Sequence, residues 1–120
     1  MPNKISLGIA TKQWGNISGL VLGLEKKDYK LIFRSVQDFI AEPIRSKFIP
    51  NFNSIKNILK RCPENGFGIS GSGPTCFALT KGEKNADIIK NELLNFSNKK
   101  KINLTIYISK VNNKGVKILS

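Results

Sequence analysis

Four of the chain's ten glycines fall between residues 66 and 73, inside GFGISGSGPTCFALT (Gly66 to Thr80). No other feature of the sequence restricts the fold so tightly. Glycine lacks a Cβ and loses more backbone entropy on folding than any other residue, so a cluster of them marks backbone at φ > 0 or a close approach by something else. Pro74 fixes the exit from the cluster, and an apolar run begins at Cys76. Phe67–Ser70 and Cys76–Thr80 therefore read as two short strands flanking a glycine loop. PENG (Pro63 to Gly66) before them and Lys81-Gly82 after them read as turns.

The loop excludes two phosphate-binding arrangements and leaves a third open. Gly66, Gly68 and Gly71 fit the spacing G-x-G-x-x-G, but a dinucleotide site needs those glycines after a strand and opening a helix. Here they follow a turn and lie partly within the first strand. No lysine follows Gly71 or Gly73, so the loop is not of the Walker type. What remains is SGSGPT (Ser70 to Thr75). Alternating serine and glycine can turn successive N–H groups into one concavity that suits an anion such as phosphate. The hydroxyls of Ser70, Ser72 and Thr75 add donors. A purely structural loop between two strands is the alternative, and the residues alone leave both open.

Around this loop the pattern is helical on one side and mixed on the other. Ala10, Trp14, Ile17, Val21 and Leu24 recur at spacings of four and three, one face of a helix, and the simplest place for Trp14 is the core. Gly15, Gly19 and Gly23 form a second stripe suited to close packing. Lys26 and Lys27 suit a helix C-terminus, and Asp28 can cap the next helix. That second helix buries Tyr29, Ile32, Phe33, Val36 and Ile40, with Pro43 ending it near Glu42. Pro43–Asn53 is then a proline-bounded connection. A third helix, capped by Asn53 or Ser54, turns Ile55, Ile58 and Leu59 inward, and Ala86, Ile89, Leu93 and Phe96 mark a fourth. Ile102, Leu104, Ile106 and Ile108 alternate with Asn103, Thr105, Tyr107 and Ser109, the clearest period of two in the chain. NNKG (Asn112 to Gly115) is a turn and VKIL a last strand. The order helix, helix, helix, strand, strand, helix, strand, strand predicts one α+β domain over residues 1–120, with an antiparallel four-stranded sheet covered by helices on one face.

Composition narrows the function classes. The chain has 120 residues, 40% of them apolar, enough for one real core. Its net charge of +12 comes mostly from scattered lysines, with arginine only at positions 34, 45 and 61. The single cluster, NKKK (Asn98 to Lys101), falls between a helix and a strand and reads as a solvated loop, so no nucleic-acid partner is expected. No apolar run approaches the ~18 residues of a membrane span, and no secretory pattern opens the chain. Cys62 and Cys76 are too few and too far apart for a metal site, so none is expected; Cys76 reads as core, and two lone thiols point to the cytoplasm. There is no histidine to act as an acid or base.

Two segments together carry a resemblance. GISGSGPTCFAL resembles the third motif of the GHMP kinase superfamily of small-molecule kinases. Upstream, DFIAEPIRSKFIPNF (Asp38 to Phe52) resembles the Asp-x-x-x-Glu-Pro-x-Arg…Ile-Pro segment of the homoserine kinases within it. GNISGLVLGLEKKDYKLI resembles the preceding helix pair. The likeness runs from about Ile9 to Leu119 and implies a ferredoxin-like GHMP kinase C-terminal domain. Nothing in the chain matches the N-terminal ATP-binding domain of such kinases, which carries the main phosphate loop and the magnesium carboxylate.

The resemblance implies a transferase that moves the γ-phosphoryl group of Mg-ATP to the hydroxyl of L-homoserine, in the cytoplasm, on the way to threonine. This chain would be its substrate-side part, inactive alone, with ATP and Mg²⁺ bound only with the missing N-terminal domain. A homodimer is one arrangement that would cover an exposed face. The resemblance gives Arg45 the substrate carboxylate, which a guanidinium fork fits in shape and charge. Without it, an ion pair with Glu42 is the simpler reading. Ser70, Gly71, Ser72, Gly73 and Thr75 would line the cleft around the phosphoryl group. No residue of the chain is expected to be catalytic. Asp38 and Glu42 would shape the segment, with Arg34 and Asp38 paired at i, i+4. The alternatives are another GHMP kinase, of the mevalonate or diphosphocytidyl-methylerythritol type, or a stand-alone small-ligand module.

Overall fold

A computed structural model describes residues 1–119. The chain is α+β. Helix α1 (Leu7–Lys26) is capped by the Ser6 hydroxyl, which accepts from the Ile9 N–H. It stops at Lys27, whose left-handed backbone (φ 55°) lets its own N–H and that of Asp28 return to the carbonyls of Leu24 and Gly23. Asp28 then caps α2 (Tyr29–Ser35) by accepting from the Leu31 N–H, as its position predicts. A short helix α3 (Glu42–Arg45) runs into a 3₁₀ turn (Ser46–Phe48), and α4 (Phe52–Leu59) follows. Strands β1 (Asn65–Ile69) and β2 (Cys76–Thr80) pair antiparallel, with Phe67 opposite Ala78, and α5 (Glu83–Lys100) comes after them. The core is small: Ile32, Ile49, Phe52, Ile58, Leu59 and Ile89 are its buried large residues, and Phe52 stacks obliquely on Phe67 of β1 at 5.2 Å.

Gly19 and Gly23 of the glycine stripe mark the packing face of α1. A Cβ on Gly23 would stand 3.0 Å from the Ile32 backbone, and one on Gly19 would run into the Ser35 hydroxyl. The two helices meet closely because these positions carry no side chain. Apart from Ala10, which is buried, the apolar stripe turns the other way. Trp14 is 60% exposed, and Ile17, Val21 and Leu24 are comparably open, so Trp14 is not core. The period of the stripe is helical as predicted; the face the helix buries is the glycine one, because backbones approach closest there.

The second helix is shorter than its pattern. It ends at Ser35, and the N–H groups of residues 39–41 donate to side chains instead. One Asp38 oxygen accepts from the N–H groups of Ile40 and Ala41 at 2.7 and 2.8 Å, and Gln13 of α1 accepts from the Phe39 N–H. Arg34 and Asp38 thus never share a helical face, and their expected pairing is not formed. Pro43 does not end a helix but opens one, in the first turn of α3, where a missing N–H costs nothing.

The sheet has two strands among the described residues. Residues 102–109, predicted as a strand, follow α5: the Ile102 N–H donates to the Ser97 carbonyl at 3.1 Å, no main-chain partner of residues 103–109 or 116–119 lies among the described residues, and neither stretch forms a strand there.

Candidate functional site

The loop between β1 and β2 is a tight hairpin turn. The Ser70 N–H donates to the Thr75 carbonyl at 2.8 Å, and the Gly73 N–H to the Ser70 carbonyl at 3.1 Å. Gly71, at the first central position, has φ +60°, the geometry that suits hairpin twist and that glycine adopts without strain. Gly73 also sits at positive φ (+84°), and a Cβ there would press on the Ile49 side chain at 3.0 Å. Both reasons for a glycine cluster operate: turning at Gly71, and close approach at Gly73 and at Gly66, which lies against α2. The N–H groups of Gly71, Ser72 and Thr75 have no acceptor among the described residues, and Ser70, Gly71, Ser72 and Thr75 face solvent. The G-x-G-x-x-G spacing falls on β1 and the turn, with no helix opening after it.

Arg45 comes to this loop. Its guanidinium donates to the Gly71 carbonyl at 2.5 Å, across 26 residues of sequence. The side chain gets there because α3 and the 3₁₀ turn lay the Glu42–Phe48 segment beside the hairpin, with Ile49 buried beneath Gly73. One contact occupies one of the five guanidinium N–H donors; the fork keeps the rest for another group. Arg45 is half-buried, so its charge is only partly screened by water.

Glu42 does not pair with Arg45, three residues on. It is 5% exposed and forms an ion pair with Lys56 of α4 through Oε1. Its Oε2 is buried with no hydrogen-bond partner. The pair ties the start of α3 to α4 and leaves Arg45 free of a carboxylate. Cys76 opens β2 beside this cluster and is half-buried, not core. Burial, and then the nearby Glu42 charge, push its thiol above the ordinary range. It therefore stays protonated at neutral pH and is a poor nucleophile. Cys62 is raised for the same first reason, with Glu92 adding and Arg61 opposing.

Sequence reasoning found Arg45 and the loop as separate features, and the structure brings them together. It missed Lys56, because nothing in a helix pattern says which carboxylate a lysine will meet. No set of three or more metal-ligating side chains gathers among the described residues, and no helix is long and apolar enough to cross a membrane.

Known proteins resemble the chain over nearly its full length. Residues 20–99 match the family described as GHMP kinases C terminal. The chain is 40% identical to a homoserine kinase of Chlorobium phaeobacteroides over 99% of its own length and 38% of that protein's. It is 33% identical to one from Chlorobaculum tepidum, again over 38% of the relative. The crystal structure of a homoserine kinase from Cytophaga hutchinsonii superposes on it with a TM-score of 0.86 at 41% identity, covering 96% of this chain and 36% of that one. The chain thus spans less than two fifths of the length of the relatives it matches.

Proposed function

Since the chain belongs to the GHMP kinase C-terminal family, we propose that it works as the substrate-side domain of a homoserine kinase, a cytoplasmic transferase that phosphorylates L-homoserine with ATP. One juxtaposition carries the reading: Arg45 reaches the glycine loop at Gly71, in a chain that shares 41% of its residues with a homoserine kinase of known structure. The remaining guanidinium donors hold the substrate carboxylate by charge-assisted hydrogen bonds. The open N–H groups of Gly71, Ser72 and Thr75 face the phosphoryl group as it moves. In that transfer the homoserine hydroxyl oxygen forms a bond to the γ-phosphorus, the bond to the bridging oxygen of ADP breaks, and the hydroxyl proton is lost. Reactions of this kind rest on positioning and charge stabilisation, which is what an arginine and a ring of backbone donors supply.

The donors in this chain do not suit a magnesium ion. Glu42, whose charge reaches Cys76 beside the loop, is committed to Lys56, and on this reading the metal's ligands and the nucleotide loop come from the part of the relatives that this chain does not match. On the same reading the sheet reaches four strands, with the ferredoxin-like arrangement, only in a protein of the relatives' length. The test is a chimera in which this chain replaces the matching region of the Cytophaga hutchinsonii enzyme. Phosphorylation of L-homoserine by the chimera supports the assignment. A folded chimera that phosphorylates another small alcohol and leaves homoserine untouched rejects it.

A further inference from the structure

An ion pair is an odd device for joining α3 to α4. The Glu42 carboxylate is 5% exposed. Its hydrogen-bond partner among the described residues is Lys56, on Oε1, while Oε2 is buried and accepts nothing. Lys56 reaches in from α4 with its ammonium 5.9 Å from the ring centre of buried Phe52. Two apolar side chains would hold the helices together as firmly, because taking a pair of charges out of water is about as unfavourable as their attraction is favourable. The pair therefore calls for a reason other than stability, and Arg45 supplies one. It lies three residues after Glu42 on α3. Side chains three apart on a helix are neighbours, and an acid ahead of a base is the better order. Arg45 is also the cation nearest Glu42 in sequence. Yet its guanidinium turns to the Gly71 carbonyl and meets no carboxylate among the described residues.

We propose that Lys56 is a positioning residue that holds Glu42 away from Arg45, so that the guanidinium fork stays open for a carboxylate from outside. This rests on the reading of Arg45 as the anchor of the homoserine carboxylate. Glu42 carries the same chemical group as that substrate, fixed three residues from the anchor, and is its built-in competitor. A buried carboxylate that loses its one cation takes the next within reach, because an unpaired charge away from water is strongly disfavoured. With Lys56 in place, the charge of Glu42 is neutralised on the α4 side. Arg45 then has only a main-chain carbonyl, a neutral acceptor weaker than a carboxylate. Without Lys56, Arg45 pairs with Glu42 in a share of the molecules, and only the remainder bind substrate. An internal pair present in nine molecules of ten lowers the apparent affinity for homoserine about tenfold.

A double-mutant cycle between Lys56 and Glu42 in the chimeric kinase tests this. Lys56→Met should raise the homoserine KM roughly tenfold and leave the ATP KM nearly unchanged. Adding Glu42→Gln removes the competing charge and should bring the homoserine KM back to within about threefold of the parent. Glu42→Gln alone should do less harm than Lys56→Met alone. Lys56→Arg should recover most of the loss, because a guanidinium still holds the carboxylate. If the unpaired charge keeps Lys56→Met from folding, Lys56→Gln, which keeps a donor but not the charge, carries the same cycle with the same order of effects. A pair that merely tied α3 to α4 would impair both single variants equally and leave the double variant no better, and that pattern overturns the proposal. The NMR resonance of the Arg45 Nε–H group in the 120-residue chain gives a readout independent of activity. It should move in Lys56→Met and return in the double variant; a resonance that stays put overturns the proposal whatever the kinetics. A resonance that moves and returns while the homoserine KM stays flat rejects Arg45 as the substrate anchor, and with it the kinase reading, and leaves the competition between Lys56 and Arg45 for Glu42 standing.

Discussion

Gly66→Ala is the substitution whose cost can be worked most directly from the structure. Gly66 is buried in β1 against α2. A Cβ there would stand 2.5 Å from Cγ2 of Val36 and 3.0 Å from both the Cα and the carbonyl oxygen of Phe33. Val36 can rotate away, but the Phe33 backbone cannot, so α2 must lift from β1 by several tenths of an ångström. Overpacking of this kind costs ~1–3 kcal/mol. For a domain of this length each kcal/mol moves the melting point by roughly 4 °C. The variant should therefore melt about 4–12 °C below the parent, followed by circular dichroism. Gly15→Ala is the control. It lies within α1 with nothing within 4 Å of the added carbon. There alanine relieves a mid-helix glycine and should raise stability by ~0.5–1 kcal/mol. A Gly66→Ala protein that melts within a degree of the parent, or a Gly15→Ala protein that falls as far, would show that the α2–β1 contact is not the close one described.

Asp38→Ala should destabilise the chain by ~1–2 kcal/mol, as loss of a helix cap does, because it frees the Ile40 and Ala41 N–H groups; Asp38→Asn should recover part, and a thermal melt reads both. Cys76 should react with iodoacetamide at pH 8 more slowly than a free thiol, and Glu42→Gln should speed it, because the second cause of its raised pKa is removed; an unchanged rate contradicts that electrostatic link. The sign for stability follows: folding holds the thiol proton more tightly, so this contribution is intact below the unfolded thiol's pKa and is lost as pH rises through the higher folded value. The 120-residue chain alone should consume no ATP when homoserine is added, if, as proposed, the nucleotide loop and magnesium ligands come from the part of the relatives it does not match; homoserine-stimulated ATP turnover by the purified chain would refute that.

The sequence was most legible where one residue type has one physical use. Glycine at positive φ announced the hairpin, Asp28 announced a helix start, and the alternation from Ile102 announced an extended segment. It was least legible where a choice depends on distant partners. The helical period of α1 is plain, but which of its two stripes is buried depends on α2 fitting against Gly19 and Gly23. Pro43 looked like a stop because helical apolar spacing continued to Ile40; side-chain acceptors at Gln13 and Asp38 had already ended the helix. The glycine loop and Arg45 were each visible, but their contact at Gly71 spans 26 residues and belongs to tertiary structure. The segment at 102–109 shows the same division: its alternation is local, but forming a strand needs a main-chain partner, and none lies beside residues 103–109 among the described residues.

The most direct measurement is steady-state kinetics of Arg45→Ala in the chimeric kinase. If the guanidinium holds the homoserine carboxylate, removing it forfeits a charge-assisted hydrogen bond of ~1.5–3 kcal/mol. At ~1.4 kcal/mol per decade, kcat/KM for homoserine should fall roughly ten- to two-hundredfold. The loss should lie mainly in the homoserine KM, with the ATP KM nearly unchanged. Arg45→Lys should recover only part, because an ammonium cannot form the fork. An analogue that keeps the hydroxyl and the amine but lacks the carboxylate, such as 3-aminopropan-1-ol, should bind parent and variant equally badly. An unchanged homoserine KM in a variant with a lowered melting point would contradict the account, and would make Arg45 a structural clamp on the Gly71 turn.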